Sequence, residues 1–292
     1  MKLSCLHTHT DFCDGVDSVE VMCQAAFDAG LSAIGFSAHA PMPFRTGWHL
    51  TYDRLDEYTR TVRAAEAQWK GRLAVYLGLE IDYIAGTGGL ADGKAVGPAD
   101  GRFSRVKLDY TIGSVHYLRP ANGTEPFTVD GPYDEWERGV REGYGGDGEA
   151  AAEAYWEAVT EMIRARGFDF VGHLDLVKKN NGAGGRPPSF DPSGNRYRNA
   201  AKKAIEAIRE SGVVVEINTG AMNRGSLKET YPSHELLEEL RKVGARIIIN
   251  ADAHRADHIT GHYEKARQAL RAAGFTETVL FEGKNWVTEP IE

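Results

Sequence analysis

The sequence predicts an α/β fold, a barrel of seven strand–helix units in a single domain. Two observations carry that prediction. Strand-like and helix-like segments alternate almost without interruption, and successive βα units imply a parallel sheet because each strand needs a crossover to return in the same direction. Residues of metal-ligand type then recur just past strand C-termini, at six strand ends. A closed (β/α) barrel gathers its active site there, whereas an open doubly wound sheet binds only near a switch point.

Taken in order, the apolar run Leu3–Leu6 reads as a buried first strand inside LSCLHTHTDFCDG. It delivers His7 and His9, which point to the same side of a strand end, and Asp14 follows in a polar turn. Ser18–Ala29 reads as a helix closed by Gly30. Strand 2, Ser32–Phe36, runs into Ser37-Ala38-His39. Helix Leu55–Trp69 leads to strand 3, Leu73–Leu79, which ends on Glu80. The Gly-rich segment Ala85–Arg105 lacks apolar periodicity and reads as an insertion loop or hairpin. Strand 4, Tyr110–Val115, ends on His116.

A second irregular stretch, Arg119–Gly148, contains Phe127, Tyr133, Trp136 and Tyr144 and is expected to be a folded lid. Helix Glu149–Arg166 precedes strand 5, Phe168–Gly172, which ends on His173. The loop Lys178–Asn195 leads to helix Arg196–Ser211, and strand 6, Val213–Ile217, runs into Asn218-Thr219. Helix Ser233–Val243 leads to strand 7, Arg246–Asn250, with Asp252 and His254 just beyond. A helix near Gly261–Ala273 and an apolar run, Thr278–Phe281, follow. No composition shift marks a boundary, so residues 1–292 are expected to form one domain with two elaborated βα loops.

Composition narrows the function. A 292-residue chain with 42% hydrophobic residues has ample core, and no segment has the apolar length to span a membrane. The net charge of −8 disfavours a nonspecific grip on nucleic acid. Cys5, Cys13 and Cys23 form no CxxC and are odd in number, which points to reduced thiols. With no basic region followed by an apolar run at the start, a cytoplasmic location is expected.

Together, His7, His9, Asp14, His39, Glu80, His116, His173, Asp252 and His254 would crowd one rim with polar groups that have little to satisfy them. Metal ions resolve that problem, since carboxylates and neutral imidazoles are ligands for zinc, manganese or iron. The number of ligands suits two or three divalent ions, with a carboxylate such as Glu80 bridging. His49, His234, His258 and His262 read instead as loop or helix-surface residues.

The motifs HTHT…D, SAHAP, LGLEID, IGSVHYL, VGHLDLV, EINTG and NADAH, in this order over almost the whole chain, resemble the PHP superfamily, and more closely its histidinol-phosphate phosphatase branch. The resemblance implies a distorted (β/α)7 barrel with a trinuclear metal site. It implies a first ion held by His7, His9, Glu80 and Asp252, with Glu80 bridging to a second held by His116 and His173. Asp14, His39 and His254 would hold the third. Relatives often carry Asp before the second-strand histidine, where this chain has Ala38; an orienting partner for His39 is then missing or supplied from elsewhere. The implied activity is hydrolysis of L-histidinol phosphate, a small-molecule phosphate monoester. Glu80, Asp252, His254 and Arg224 are the expected catalytic residues. Arg224 also matches a phosphate-binding arginine of that branch, and Lys178 and Lys179 are further phosphate-binding candidates. The alternatives are a phosphoesterase acting on nucleotides or short oligonucleotides and a non-catalytic metal-binding module.

Overall fold

Seven apolar runs pair into one parallel sheet in the computed structural model of the chain, which describes residues 2–86 and 95–291. In chain order the elements begin β1 (Ser4–Cys5), α1 (Val19–Asp28), β2 (Ala33–Phe36), α2 (Leu55–Trp69), β3 (Ala74–Asp82) and β4 (Tyr110–Ser114). The lid region supplies β5 (Tyr117–Leu118), β6 (Phe127–Thr128) and α3 (Tyr133–Tyr144). Next come α4 (Gly148–Ala165), β7 (Phe170–Val171), α5 (Asn195–Ser211), β8 (Val214–Asn218), the short α6 (Gly220–Asn223) and α7 (His234–Lys242). The last elements are β9 (Arg246–Asn250), α8 (Tyr263–Ala272), β10 (Glu277–Glu282) and β11 (Asn285–Pro290). Ser18 and Asp147 start α1 and α4 by accepting from the Val21 and Ala150 N–H groups, which satisfies donors that a helix start leaves free.

The sheet order β1-β2-β3-β4-β7-β8-β9 follows the chain, as neighbouring right-handed crossovers require. The two edges meet through a parallel bridge between Thr8 and Ala253, where His9 N–H donates to the Ala253 carbonyl at 2.8 Å. The sheet is thereby nearly closed into a barrel, with the helices outside. Its interior holds Leu6, Tyr110, Ile112, Phe170, Val214 and Ile248, and the β10–β11 hairpin adds Val279 and Phe281 to that cluster. Tyr110 fills the centre and donates to the Leu6 carbonyl. Gly35 and Gly78 make room for it, because a Cβ at either would lie 2.5 Å from the Tyr110 side chain.

Several expectations are refined. β3 runs on to Asp82 instead of ending at Leu79, so Glu80 and Asp82 both lie on the strand and share a face. The expected irregular lid contains a helix, α3, that glycines at 139 and 143 concealed from a periodicity reading. Gly139 is there because a Cβ would collide with the Phe127 ring of β6. The terminal apolar run is half of a hairpin, and β11 is too polar to stand out as a strand. Ile84, just before the expected Ala85–Arg105 insertion, pairs antiparallel with Val96 inside it, while residues 87–94 lie outside the described residues. All three cysteines are free thiols. No described helix is long and apolar enough to cross a membrane.

Candidate metal centre

The strand ends deliver their polar residues to one mouth. His7 and His9 follow β1, His39 follows β2, Glu80 lies on β3, and His116, His173, Asp252 and His254 follow β4, β7 and β9. Glu80 is the hub. It is fully buried, and its Oε2 lies 2.9 Å from His39 Nδ1, 3.2 Å from His7 Nε2 and 3.5 Å from His9 Nε2. Its Oε1 accepts from His173 Nε2 at 2.8 Å and from Ser114 Oγ at 2.6 Å, and His116 Nε2 stands 3.7 Å away. Asp252 Oδ1 lies 3.4 Å from His9 Nε2 and 3.6 Å from His7 Nε2. Asp14 approaches His254 Nε2 at 3.2 Å and both His9 Nδ1 and His39 Nε2 at 3.6 Å.

These groups fit metal ions on a direct structural test. His7 Nε2, His9 Nε2, His39 Nδ1 and Glu80 Oε2 are buried and converge, yet none has a hydrogen-bond partner. Buried polar atoms are otherwise almost always paired, and lone pairs aimed at one another are what a cation relieves. Four sets of side chains each bring ligand atoms close enough to share an ion: His7, His9 and Asp252; His7, Glu80 and His173; His9, Asp14, His39 and His254; and His39, Asp82 and His116. The cluster is therefore able to bind several ions. All nine expected ligands are brought together.

Burial and neighbouring charges act against one another on the groups of this cluster. Burial opposes ionisation of Glu80, but the imidazoles of His7, His39 and His116 hold its carboxyl well below the usual range. Burial also opposes the charge on Asp252, which Arg224 and His7 keep ionised. Burial, with the charges of His254 and His39, pushes His9 down to about 3. His116 goes the other way, to about 9, because Asp82 and Glu80 outweigh its burial.

The supporting residues escaped the sequence reading. Glu216 on β8 is fully buried and accepts from His7 Nδ1 at 2.9 Å, from the His173 N–H at 2.7 Å, and from the amides of Asn218 and Asn250. It fixes the His7 tautomer so that Nε2 faces Glu80. Asp82 does the same for His116, accepting from Nδ1 at 2.8 Å, and its other oxygen accepts from His49 Nε2 at 2.9 Å. His49 is thus buried in the support and is not a surface residue; the strand alternation that places Asp82 beside Glu80 was the available signal. His234 is largely exposed and fits its surface reading.

His39 needs no carboxylate from position 38. Its two nitrogens face Glu80 and Asp14, and the Trp48 ring meets it edge-on at 4.5 Å. Ala38 points instead into the main apolar core. Asp252 has a positive φ of 48°, sparsely populated for a non-glycine residue. Gly220 must lack a side chain, since a Cβ would lie 2.6 Å from Asp252 Oδ2.

The cluster opens into a cavity of about 330 Å³ whose wall includes Arg224 and Lys179. Arg224 donates to Asp252 Oδ2 at 3.1 Å and stands 3.2 Å from His254 Nδ1. Lys179 donates to the Asp130 carbonyl. Lys178 does not reach the cavity. Its Nζ is held by Asp175 at 3.0 Å, Glu229 at 2.9 Å and the Thr230 carbonyl at 2.8 Å, so the 3₁₀ turn at Leu176–Asn180 sends adjacent lysines to different places.

Fold and site together define a parallel (β/α) barrel with a polynuclear metal-binding mouth. A profile of the PHP domain matches residues 6–220, and the chain belongs to that family. It is similar to a Deinococcus radiodurans protein named "Probable histidinol-phosphatase", 31% identical over 278 residues that cover 94% of this chain and 95% of the relative. The histidinol-phosphatase of Bacillus subtilis is 26% identical, with 88% of this chain and 96% of the relative covered. A crystal structure of the Lactococcus lactis histidinol phosphate phosphatase, complexed with zinc, L-histidinol and phosphate, superposes with a TM-score of 0.71 at 22% identity, covering 98% of this chain and 99% of the other.

Proposed function

We propose that the chain is a metal-dependent phosphatase that hydrolyses L-histidinol phosphate to L-histidinol and phosphate. The carrying observation is the convergence of unpartnered imidazole and carboxylate atoms on Glu80 beside an arginine-lined cavity. The histidinol-phosphatases that match nearly the whole chain support the choice of substrate. The whole 292-residue chain would act as one catalytic barrel, with three free thiols suited to the cytoplasm.

His7, His9, Glu80 and Asp252 would hold one ion, Glu80, His116 and His173 a second, and Asp14, His39 and His254 a third. Zinc, manganese or iron suits these donors. Bound divalent ions supply Lewis acidity toward a phosphoryl oxygen and toward water. Arg224 grips the phosphate through its planar guanidinium, and Asp252 fixes the direction of that fork. Lys179, paired with Asp130, is the second phosphate-binding candidate on the cavity wall. Glu216 and Asp82 hold the imidazoles of His7 and His116 in register. Hydrolysis forms one P–O bond from water and breaks the P–O bond to the alcohol, which leaves with a proton.

The test is phosphate release by the metal-loaded protein on L-histidinol phosphate, nucleotides and sugar phosphates. The expected result is the highest kcat/KM on L-histidinol phosphate. A preference for nucleotides would replace this reading with a nucleotide phosphoesterase, and absence of turnover on every ester would leave a metal-binding module.

A further inference from the structure

The cavity has one wall that a phosphate group cannot use. Opposite in charge to Arg224 and Lys179, Asp130 and Glu135 also line it, together with Thr128 and Trp48. The two carboxylates differ in kind. Asp130 is neutralised by Lys179, whose Nζ lies 3.5 Å from Oδ2. Glu135 makes no ion pair among the described residues; its Oε1 accepts only the Thr128 N–H, at 2.8 Å. That bond ties the side chain to β6 and leaves Oε2 free. Gly131 keeps it uncovered, since a Cβ there would come within 3.1 Å of Oε2 and collide with Thr128 Oγ1. Thr128 supplies a second, independent sign of a ligand. It is only 7% exposed, lines the cavity, and its Oγ1 has no hydrogen-bond partner.

An anchored, unpaired carboxylate beside an unsatisfied buried hydroxyl suits a group that is cationic and donates hydrogen bonds. It would repel phosphate, so it belongs to the other end of the substrate. We infer that Glu135, with Thr128 Oγ1, is the specificity-determining site for a protonated nitrogen on the alcohol portion of a phosphate monoester. Trp48 lines the same cavity, and an indole there can pack on the organic part of such an alcohol and attract its charge. This rests on the reading of the mouth as a phosphatase and narrows its substrates to cationic esters, a class that contains L-histidinol phosphate.

Glu135→Gln tests it, because the amide oxygen can still accept the Thr128 N–H while the charge is gone. kcat/KM is measured on L-histidinol phosphate, O-phosphoethanolamine and the uncharged-alcohol ester 4-nitrophenyl phosphate, with inhibition by L-histidinol as a binding readout. The ratio of kcat/KM for the cationic esters to that for the aryl ester should fall about 10–100-fold, the scale of one charged hydrogen bond. The loss should sit mainly in KM, and L-histidinol inhibition should weaken in parallel. Thr128→Val should lower the same ratio by a smaller factor. An unchanged ratio, or an equal fall on all three esters, overturns the inference, the latter marking Glu135 as a lid-folding residue. A wild-type preference for L-histidinol phosphate that survives Glu135→Gln leaves the histidinol reading intact and sinks this one. A wild-type preference for O-phosphoethanolamine that Glu135→Gln abolishes does the reverse.

Discussion

Glu216→Gln removes one charge and almost no volume, yet it should disturb both the fold and the metal centre. Oε1 accepts from the His173 N–H at 2.7 Å and from the Asn218 amide at 2.7 Å. Oε2 accepts from His7 Nδ1 at 2.9 Å and from the Asn250 amide at 3.0 Å. Whichever way a glutamine amide turns, its NH₂ faces two donors in a fully buried site. A buried donor left without an acceptor costs about 1–3 kcal/mol, so two should cost about 2–6 kcal/mol. Urea unfolding of the metal-stripped protein reads this term without the ions. Loss of the anchor on His7 should separately weaken metal affinity about 10–100-fold, read by chelator titration of the loaded protein. A metal-free variant that unfolds at the wild-type urea concentration, and a loaded one that keeps its ions as tightly, would refute the assignment of Glu216 as the anchor.

Graded chelation should release an ion from Asp14, His39 and His254 first, because Asp14 is 31% exposed while Glu80, His7 and His9 are fully buried; simultaneous loss of all ions, followed by metal counting, would contradict that order. Glu80→Gln should abolish turnover and lower the number of ions retained, as it strips the hub shared by the buried imidazoles. Arg224→Ala should cost about 2–4 kcal/mol in kcat/KM, and Arg224→Lys should recover only part, since lysine lacks the planar fork; steady-state kinetics decides. Ala38→Asp should destabilise the fold by several kcal/mol in denaturant unfolding, because it buries a carboxylate in an apolar core, and a stable variant with a tighter third site would contradict this.

Strand ends were legible because the chain repeats one local rule. Six of the seven sheet strands hold or are followed within three residues by a histidine or carboxylate of the cluster, and parallel strands with crossovers must put those ends on the same rim. Boundaries followed equally local physics, as at α2, whose observed span matches the expected Leu55–Trp69. The lid helix was hidden because Gly139 answers to the Phe127 ring, a constraint from another element.

The sequence by itself determined the barrel and the nine converging side chains, since alternation and chain order specify which residues reach the mouth, while the family resemblance alone singled out the arginine beside them. Only the tertiary structure decided how they are held. Glu216 and Asp82 look like ordinary strand residues until β8 and β3 bring them behind His7 and His116. His49 reads as a loop residue until it closes on Asp82. Lys178 and Lys179 are indistinguishable in sequence, and a 3₁₀ turn sends one to Asp175 and the other to the cavity wall. Glu135 acquires its meaning from the absence of any cation beside it among the described residues. Hydrogen bonds and unpaired charges between distant segments depend on distances across the fold, and no local pattern encodes those.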